Sequence, residues 1–172
     1  MFEAYEVRIE GVRPLLMNAL LTHTQTQDEY LDPKSEAEMR LYKDPNGNVC
    51  IPAKMVKACL VCAGKNYVVE GIRMSAETVI RAGIRIKPEY IPLEYDKWVV
   101  DSRPAVVRRS RVIRHRPRFD RWALEFNMIN LDPSVLRMDT LRKMLEDAGK
   151  WCGLGDYRPE YGLFRVTKFE KT

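Results

Sequence analysis

Residues 122–128, WALEFNM, place Trp122, Leu124, Phe126 and Met128 on one side and Glu125 and Asn127 on the other. Period-two alternation marks a half-buried strand, with one face on a core and the other in water. On its C-terminal side the spacing predicts a helix capped by Asp139 or Thr140, whose apolar stripe is Leu141, Met144, Leu145 and Ala148. Gly149, Gly153 and Gly155 are expected to break it, and 163–169, LFRVTKF, reads as a closing strand. On the N-terminal side lies a proline-punctuated region (Pro88, Pro92, Pro104, Pro117) with an extended arm over 97–116. Before it, 77–86, ETVIRAGIRI, alternates with Thr78, Ile80, Ala82, Ile84 and Ile86 on one face and reads as a strand.

Further out, Pro52 opens a helix through about Ala63 with the stripe Met55, Val56, Cys59, Leu60 and Ala63, and Gly64 ends it. Residues 3–11, EAYEVRIEG, form a strand with Tyr5, Val7 and Ile9 inward and Glu6, Arg8 and Glu10 outward. Between them, 12–34 reads as a loop, 35–41 as a helical turn capped by Ser35, and Asp44–Asn48 as the turn of a small hairpin. The order is strand, helix, strand, strand, helix, strand. That predicts an α+β chain with a ferredoxin-like (RRM-like) βαββαβ antiparallel sheet, two helices on one face, and an inserted basic arm. A single domain over 1–172 is expected, with insertions at about 12–50 and 88–118.

Composition is that of a globular protein: 45% apolar and 31% charged over 172 residues. No apolar run approaches the ~20 residues of a membrane span, and the acidic start, Met1 to Glu6, lacks a signal-peptide layout. A cytoplasmic protein with no membrane role is expected. The four cysteines then read as free thiols. Cys59-x-x-Cys62 resembles half a zinc site, but it falls inside the first helix with no second pair, so core packing is the better reading. No metal and no cofactor are expected.

The net charge of +5 is unevenly distributed. Residues 103–121, RPAVVRRSRVIRHRPRFDR, hold Arg103, Arg108, Arg109, Arg111, Arg114, Arg116, Arg118, Arg121 and His115 against one acid, Asp120. In an extended strand Arg108, Arg114, Arg116 and Arg118 fall on one side and Arg109, Arg111 and His115 on the other. A segment basic on both sides is no core strand. Guanidinium groups suit bidentate contact with phosphate, so polyanion binding is the favoured reading; a solvated edge that discourages aggregation is the other. A second segment, 149–162, GKWCGLGDYRPEYG, combines Gly153, Gly155 and Gly162 with Arg158, Tyr157 and Tyr161. It reads either as a phosphate-approaching loop with stacking groups or as a helix cap and tight connection. Its spacing matches neither a Rossmann loop nor a P-loop. His23 stands in a polar stretch as a weak candidate general base, with no pairing residue in view, while Lys54 and Lys57 read as ordinary solvated lysines.

Val12–Asn18 after the first strand, Ile51-Pro52-Ala53 at the first helix, Arg-Pro-Arg-Phe-x-x-Trp at 116–122, and Gly-x-Gly-Asp-Tyr-Arg-Pro-x-x-Gly-x-Phe at 153–164 form a set. In this set the chain resembles a group of small phage-encoded proteins similar to the repeat-associated mysterious protein (RAMP) superfamily, specifically its CRISPR-associated backbone subunits. The resemblance implies a ferredoxin-like core, an inserted arm at Arg108–Arg118 and a glycine-rich loop at Gly153–Gly162. It also implies single-stranded nucleic acid held along its backbone by subunits that polymerise side by side. The chain is smaller than most such subunits, and Glu6, Arg8, Glu10, Glu125 and Asn127 replace the aromatic sheet face of an ordinary RRM.

The expectation is therefore a non-enzymatic protein that binds single-stranded RNA or DNA through Arg103, Arg108, Arg109, Arg111, Arg114, His115, Arg116, Arg118 and Arg158. The loop residues Gly153, Gly155, Tyr157, Tyr161 and Gly162 assist, and the protein forms a homo-oligomer or filament. The alternatives are a metal-independent endoribonuclease using His23, and a structural subunit whose arm docks a protein.

Overall fold

The computed structural model describes residues 1–21, 32–71, 73 and 75–172. His23 lies outside the described residues. The fold is α+β with antiparallel sheets.

The central strand is β8 (Trp122–Asn130), and it pairs antiparallel on both edges. One edge takes β1 (Glu3–Gly11), with Val7 opposite Phe126. The other takes two short strands end to end: β4 (Ile84–Lys87) along its C-terminal half and β5 (Tyr90–Tyr95) along its N-terminal half. Outside β1 lies β9 (Phe164–Lys171), and outside β5 lies β3 (Cys50–Pro52). The closing strand carries an irregularity: Arg8 faces Lys168 and Ile9 faces Val166, so Thr167 is extra and the alternation along β9 changes phase.

Tyr5, Val7, Ile9, Leu124 and Met128 are fully buried. Over them lie α2 (Ala53–Gly64), which contributes Val56, Cys59 and Leu60, and α4 (Met138–Asp147), which contributes Leu141, Met144 and Leu145. The opposite sheet face is a charged lattice. Arg8 bridges Glu94 at 2.7 Å, Arg165 meets Glu10 at 3.0 Å, and Lys168 meets Glu6 at 2.6 Å. Those cations hold the Glu94 and Glu10 carboxyls below the ordinary glutamate range.

Several local expectations are corrected. Residues 77–86 are not one strand: α3 (Ala76–Gly83) is followed by β4. Ala76, Ile80 and Ile84 are buried while Thr78 and Ala82 are exposed, so the true spacing is four, a subset of the period-two pattern. The turn before β3 is α1 (Pro33–Met39). Its cap is Asp32, which accepts from the Lys34 and Ser35 backbone amides, with Pro33 in the first turn, so Ser35 is not the cap. Arg137 precedes α4 with no side-chain cap, so neither Asp139 nor Thr140 caps it. Gly149 does not break that helix either. The chain continues through a π turn, Ala148–Cys152, in which a Cβ at Gly149 would sit 2.2 Å from the Phe164 carbonyl oxygen. The Asp44–Asn48 turn does close a bridge from Lys43 to Val49, but the strand that follows pairs with β5.

Candidate nucleic-acid interface

The basic arm is a two-stranded ribbon, β6 (Trp98–Val107) and β7 (Ser110–Phe119), joined at its base to the short β2 (Leu15–Leu16). The strands are in register from Trp98 opposite Phe119 to Val107 opposite Ser110. This leaves Arg108 and Arg109 as a two-residue turn, with φ of 48° and 71°. Such a turn suits the right-handed twist of the strands but favours Asn-Gly, since both residues are left-handed. Because Arg108 and Arg109 both lie in the turn, neither belongs to a side of the ribbon, contrary to the expectation that set them on opposite sides.

Cross-strand register decides which side chains meet. Asp101, Arg103, Arg114, Arg116 and Arg118 share one face, and acids intercept the arginines there. Asp101, only 6% exposed, accepts from Arg103 Nε at 2.6 Å and Arg118 Nη1 at 3.3 Å. Asp120 takes the Arg118 Nε at 2.8 Å, and Glu36 of α1 takes Arg114 at 3.4 Å. Arg116 Nε lies 2.9 Å from Asp156 Oδ2, a charge contact without hydrogen-bond alignment. The Asp101 carboxylate holds Arg103 above the ordinary guanidinium range, and Asp120 does the same for Arg118. Arg40, half enclosed beside Arg114 and Arg116, is pushed down by burial. His115 shares a 2.7 Å hydrogen bond between its Nδ1 and Ser102 Oγ, and its Nε2 is 4.0 Å from Glu36.

Toward the tip the pairing ends. Among the described residues no carboxylate lies within ion-pair distance of Arg108, Arg109 or Arg111, and all three are exposed. Val106 and Ile113 beside them are 72% and 62% exposed.

The glycine-rich loop meets the ribbon at its base. Arg103 lies over the Tyr161 ring at 4.7 Å and the Tyr157 ring at 5.4 Å, and also donates to the Tyr161 hydroxyl. Tyr157 is half exposed, with a left-handed φ of 58°. Arg158 is exposed and has no acid in ion-pair range among the described residues. The glycines themselves serve packing. A Cβ at Gly155 would sit 2.3 Å from the Leu16 carbonyl oxygen, and one at Gly162 would sit 1.8 Å from that of Leu154. Several loop amides are also engaged: Gly153 donates to Ala148, Leu154 to Gly162, Asp156 to Leu16, and Gly162 to Pro14. Of these, the Asp156 amide ties the loop to β2 and the Gly162 amide to the residue just before that strand, while the other two close the loop on itself and on the π turn.

The fold brings Arg103, Tyr157 and Tyr161 together, seats Arg116 against Asp156, and sets Arg108, Arg109 and Arg111 apart at the tip. Sequence reading missed Glu36, Asp101 and Asp156. Asp101 was within reach, two residues before the basic segment and therefore on the same strand face as Arg103. Glu36 and Asp156 meet the arm only through tertiary packing. Cys59 is in the core, 1% exposed, and among the described residues no group of three or more potential metal ligands occurs. No helix among them is long and apolar enough to cross a membrane. Lys57 caps the Arg81 carbonyl at 2.8 Å.

Comparison with known proteins places the fold. No family model and no curated protein matches the chain. Among solved structures it is similar to a chain in the cryo-EM structure of the Type III-B Cmr-beta bound to cognate target RNA, with a TM-score of 0.63 and 14% identity. The match covers 99% of this chain and 60% of the other, so this chain spans less than two thirds of that neighbour's length. At this identity the likeness is one of fold alone.

Proposed function

We propose that the protein is a non-enzymatic subunit that binds single-stranded RNA, with the tip of the β6–β7 ribbon and Arg158 as its phosphate contacts and Tyr157 as a stacking group. The observation that carries this reading is the gradient of pairing along the ribbon. Arginines near its base are neutralised by Asp101, Glu36, Asp120 and Asp156, while Arg108, Arg109 and Arg111 at the tip have no acidic partner among the described residues. An edge protected merely against aggregation has no need of arginines in a left-handed turn, where each costs about 1–2 kcal/mol. The RNA in the neighbour's complex favours RNA over DNA. The chain order of β1, α2, β4, β8, α4 and β9, with strands arranged β9-β1-β8-β4, supports a ferredoxin-like core. The acidic outer sheet face argues against base stacking there. Assembly along the strand belongs to the same reading, with Val106 and Ile113 as a surface for a neighbouring subunit to cover.

The test is polarisation binding of labelled single-stranded RNA, single-stranded DNA and duplex DNA across a salt series. About four phosphate contacts give a log–log salt slope near −2.8, and removing three of them leaves about −0.7. The Arg108/Arg109/Arg111 triple alanine is therefore expected to weaken RNA binding at least about tenfold at low salt and to flatten the slope. Arg108→Asn with Arg109→Gly is the folded control: it relaxes the turn and still loses affinity. Equal binding by wild type and both variants, or no binding at low salt, overturns the reading.

A further inference from the structure

A cleft of about 640 Å³ opens at the two roots of the glycine-rich loop, a size typical of small-ligand sites. One wall is the π turn, with Lys150 and Trp151; the other is the start of β9, with Phe164 and Arg165. Val12 and Leu163 complete the apolar lining, joined by a 2.8 Å hydrogen bond from the Val12 amide to the Leu163 carbonyl oxygen. The walls come together through Gly149, where a Cβ would meet the Phe164 ring at 2.8 Å as well as its carbonyl oxygen. Single π turns are rare and concentrate at functional sites. This one leaves Trp151 72% exposed, whereas Trp122 is buried and Trp98 half-buried. Val12 across from it is also exposed. Two wet apolar side chains beside a concave surface point to an occupant.

We propose that the cleft takes one base of a single-stranded RNA, stacked on the Trp151 indole. An exposed indole gives a base a stacking platform, and stacking is tolerant of sequence because every base has a π face. The rim supplies both kinds of hydrogen-bonding group for a base edge: donors on Lys150 and Arg165 and an acceptor on Glu146. Arg165 meets Glu10 at 3.0 Å and Glu146 meets Arg142 at 3.1 Å, while Lys150 is exposed with no acid in ion-pair range among the described residues. The rim therefore carries no excess of acid to repel the strand. The inference rests on the RNA reading above for its strand, and the two sites are continuous. The loop that brings Tyr157 and Tyr161 to Arg103 at the base of the ribbon is rooted at Trp151 on one side and Phe164 on the other.

The other occupant the place suggests is a peptide or a second copy of this chain pairing along β9, whose one partner among the described residues is β1. Arg165, Lys168 and Lys171 along that edge, together with the irregularity at Thr167, oppose such pairing.

The experiment follows tryptophan fluorescence of the full chain as adenosine 5′-monophosphate is added, with ribose 5-phosphate as the probe that lacks a base. The mononucleotide is expected to quench the exposed indole and ribose 5-phosphate to leave it unchanged. The quench disappears in Trp151→Ala and persists in the Arg108/Arg109/Arg111 triple alanine. For labelled single-stranded RNA, Trp151→Ala weakens binding roughly tenfold and leaves the salt slope at its wild-type value, because a stacked base displaces no counterion. Trp151→Phe keeps most of the RNA affinity. Both variants melt with the wild type, since the side chain is exposed. No quench by the mononucleotide, an equal response to ribose 5-phosphate, a quench that survives Trp151→Ala, or unchanged RNA affinity in that variant overturns the proposal. So does a dimer in sedimentation that becomes a monomer in Trp151→Ala, which would give the cleft to a second copy. The two readings fail separately: loss of the ribbon reading shows in the salt slope and the triple alanine, loss of this one in the mononucleotide quench and Trp151→Ala.

Discussion

Glycine 162 shows how closely single residues fix the loop beside the ribbon. Its φ is +77°, and an added Cβ would lie 1.8 Å from the Leu154 carbonyl oxygen. Gly162→Ala is therefore expected to destabilise the protein by about 3 kcal/mol or more in urea denaturation, combining strain with a backbone clash. Gly47 is the comparison, since its φ is +86° and nothing lies within 4 Å of its Cβ position. Gly47→Ala then carries the conformational part alone, about 1–2 kcal/mol. The abundance of glycine before the last strand was legible in the sequence, but its purpose was not. Spacing suggests amides opened toward an anion, whereas the structure spends them on Pro14, Leu16 and the loop itself. The arginines were legible as a cluster, yet the pairing of Arg114 and Arg116 depends on Glu36 and Asp156, distant in sequence and brought near only by folding.

At the scale of elements, α3 separates what a pattern can and cannot tell. Apolar residues at 80, 84 and 86 satisfy a strand and, at 80 and 84, a helix also. The two assignments predict different mutants. In the helix Ile80 is fully buried over Gly64, while Thr78 and Ala82 are exposed. Ile80→Ala is expected to cost about 2–4 kcal/mol, and Thr78→Asp or Ala82→Asp to stay within about 0.5 kcal/mol. A strand would make all three positions core and both aspartates disruptive; thermal denaturation of the three variants decides. Strands β1, β8 and β9 were readable because each has one wet and one dry face. The short β3, β4 and β5 were harder: at three to six residues each they rely on neighbours, not on their own periodicity.

For the whole molecule, α+β class and antiparallel pairing were visible in the order of elements, while the ribbon's reach was hidden by its prolines. Pro104 and Pro117 face Ile113 and Val100 within a sheet of only three strands, two of them edges, where a missing amide is tolerated. The turn at Arg108 and Arg109 has another consequence. Two exposed arginines at a projecting tip are an invitation to trypsin, so limited digestion is expected to cut there first, leaving fragments of about 1–109 and 110–172 on a denaturing gel. A cut at this point divides the chain without dividing the fold. Before it lie β1, β4, β5 and β6; after it lie β7, β8 and β9; and the central sheet alternates between the two halves, β5-β8-β1-β9. Every inner ladder runs from one fragment to the other, so the nicked protein should elute from a sizing column as one particle. The two pieces, separated and remixed, should find each other as interlaced fingers do.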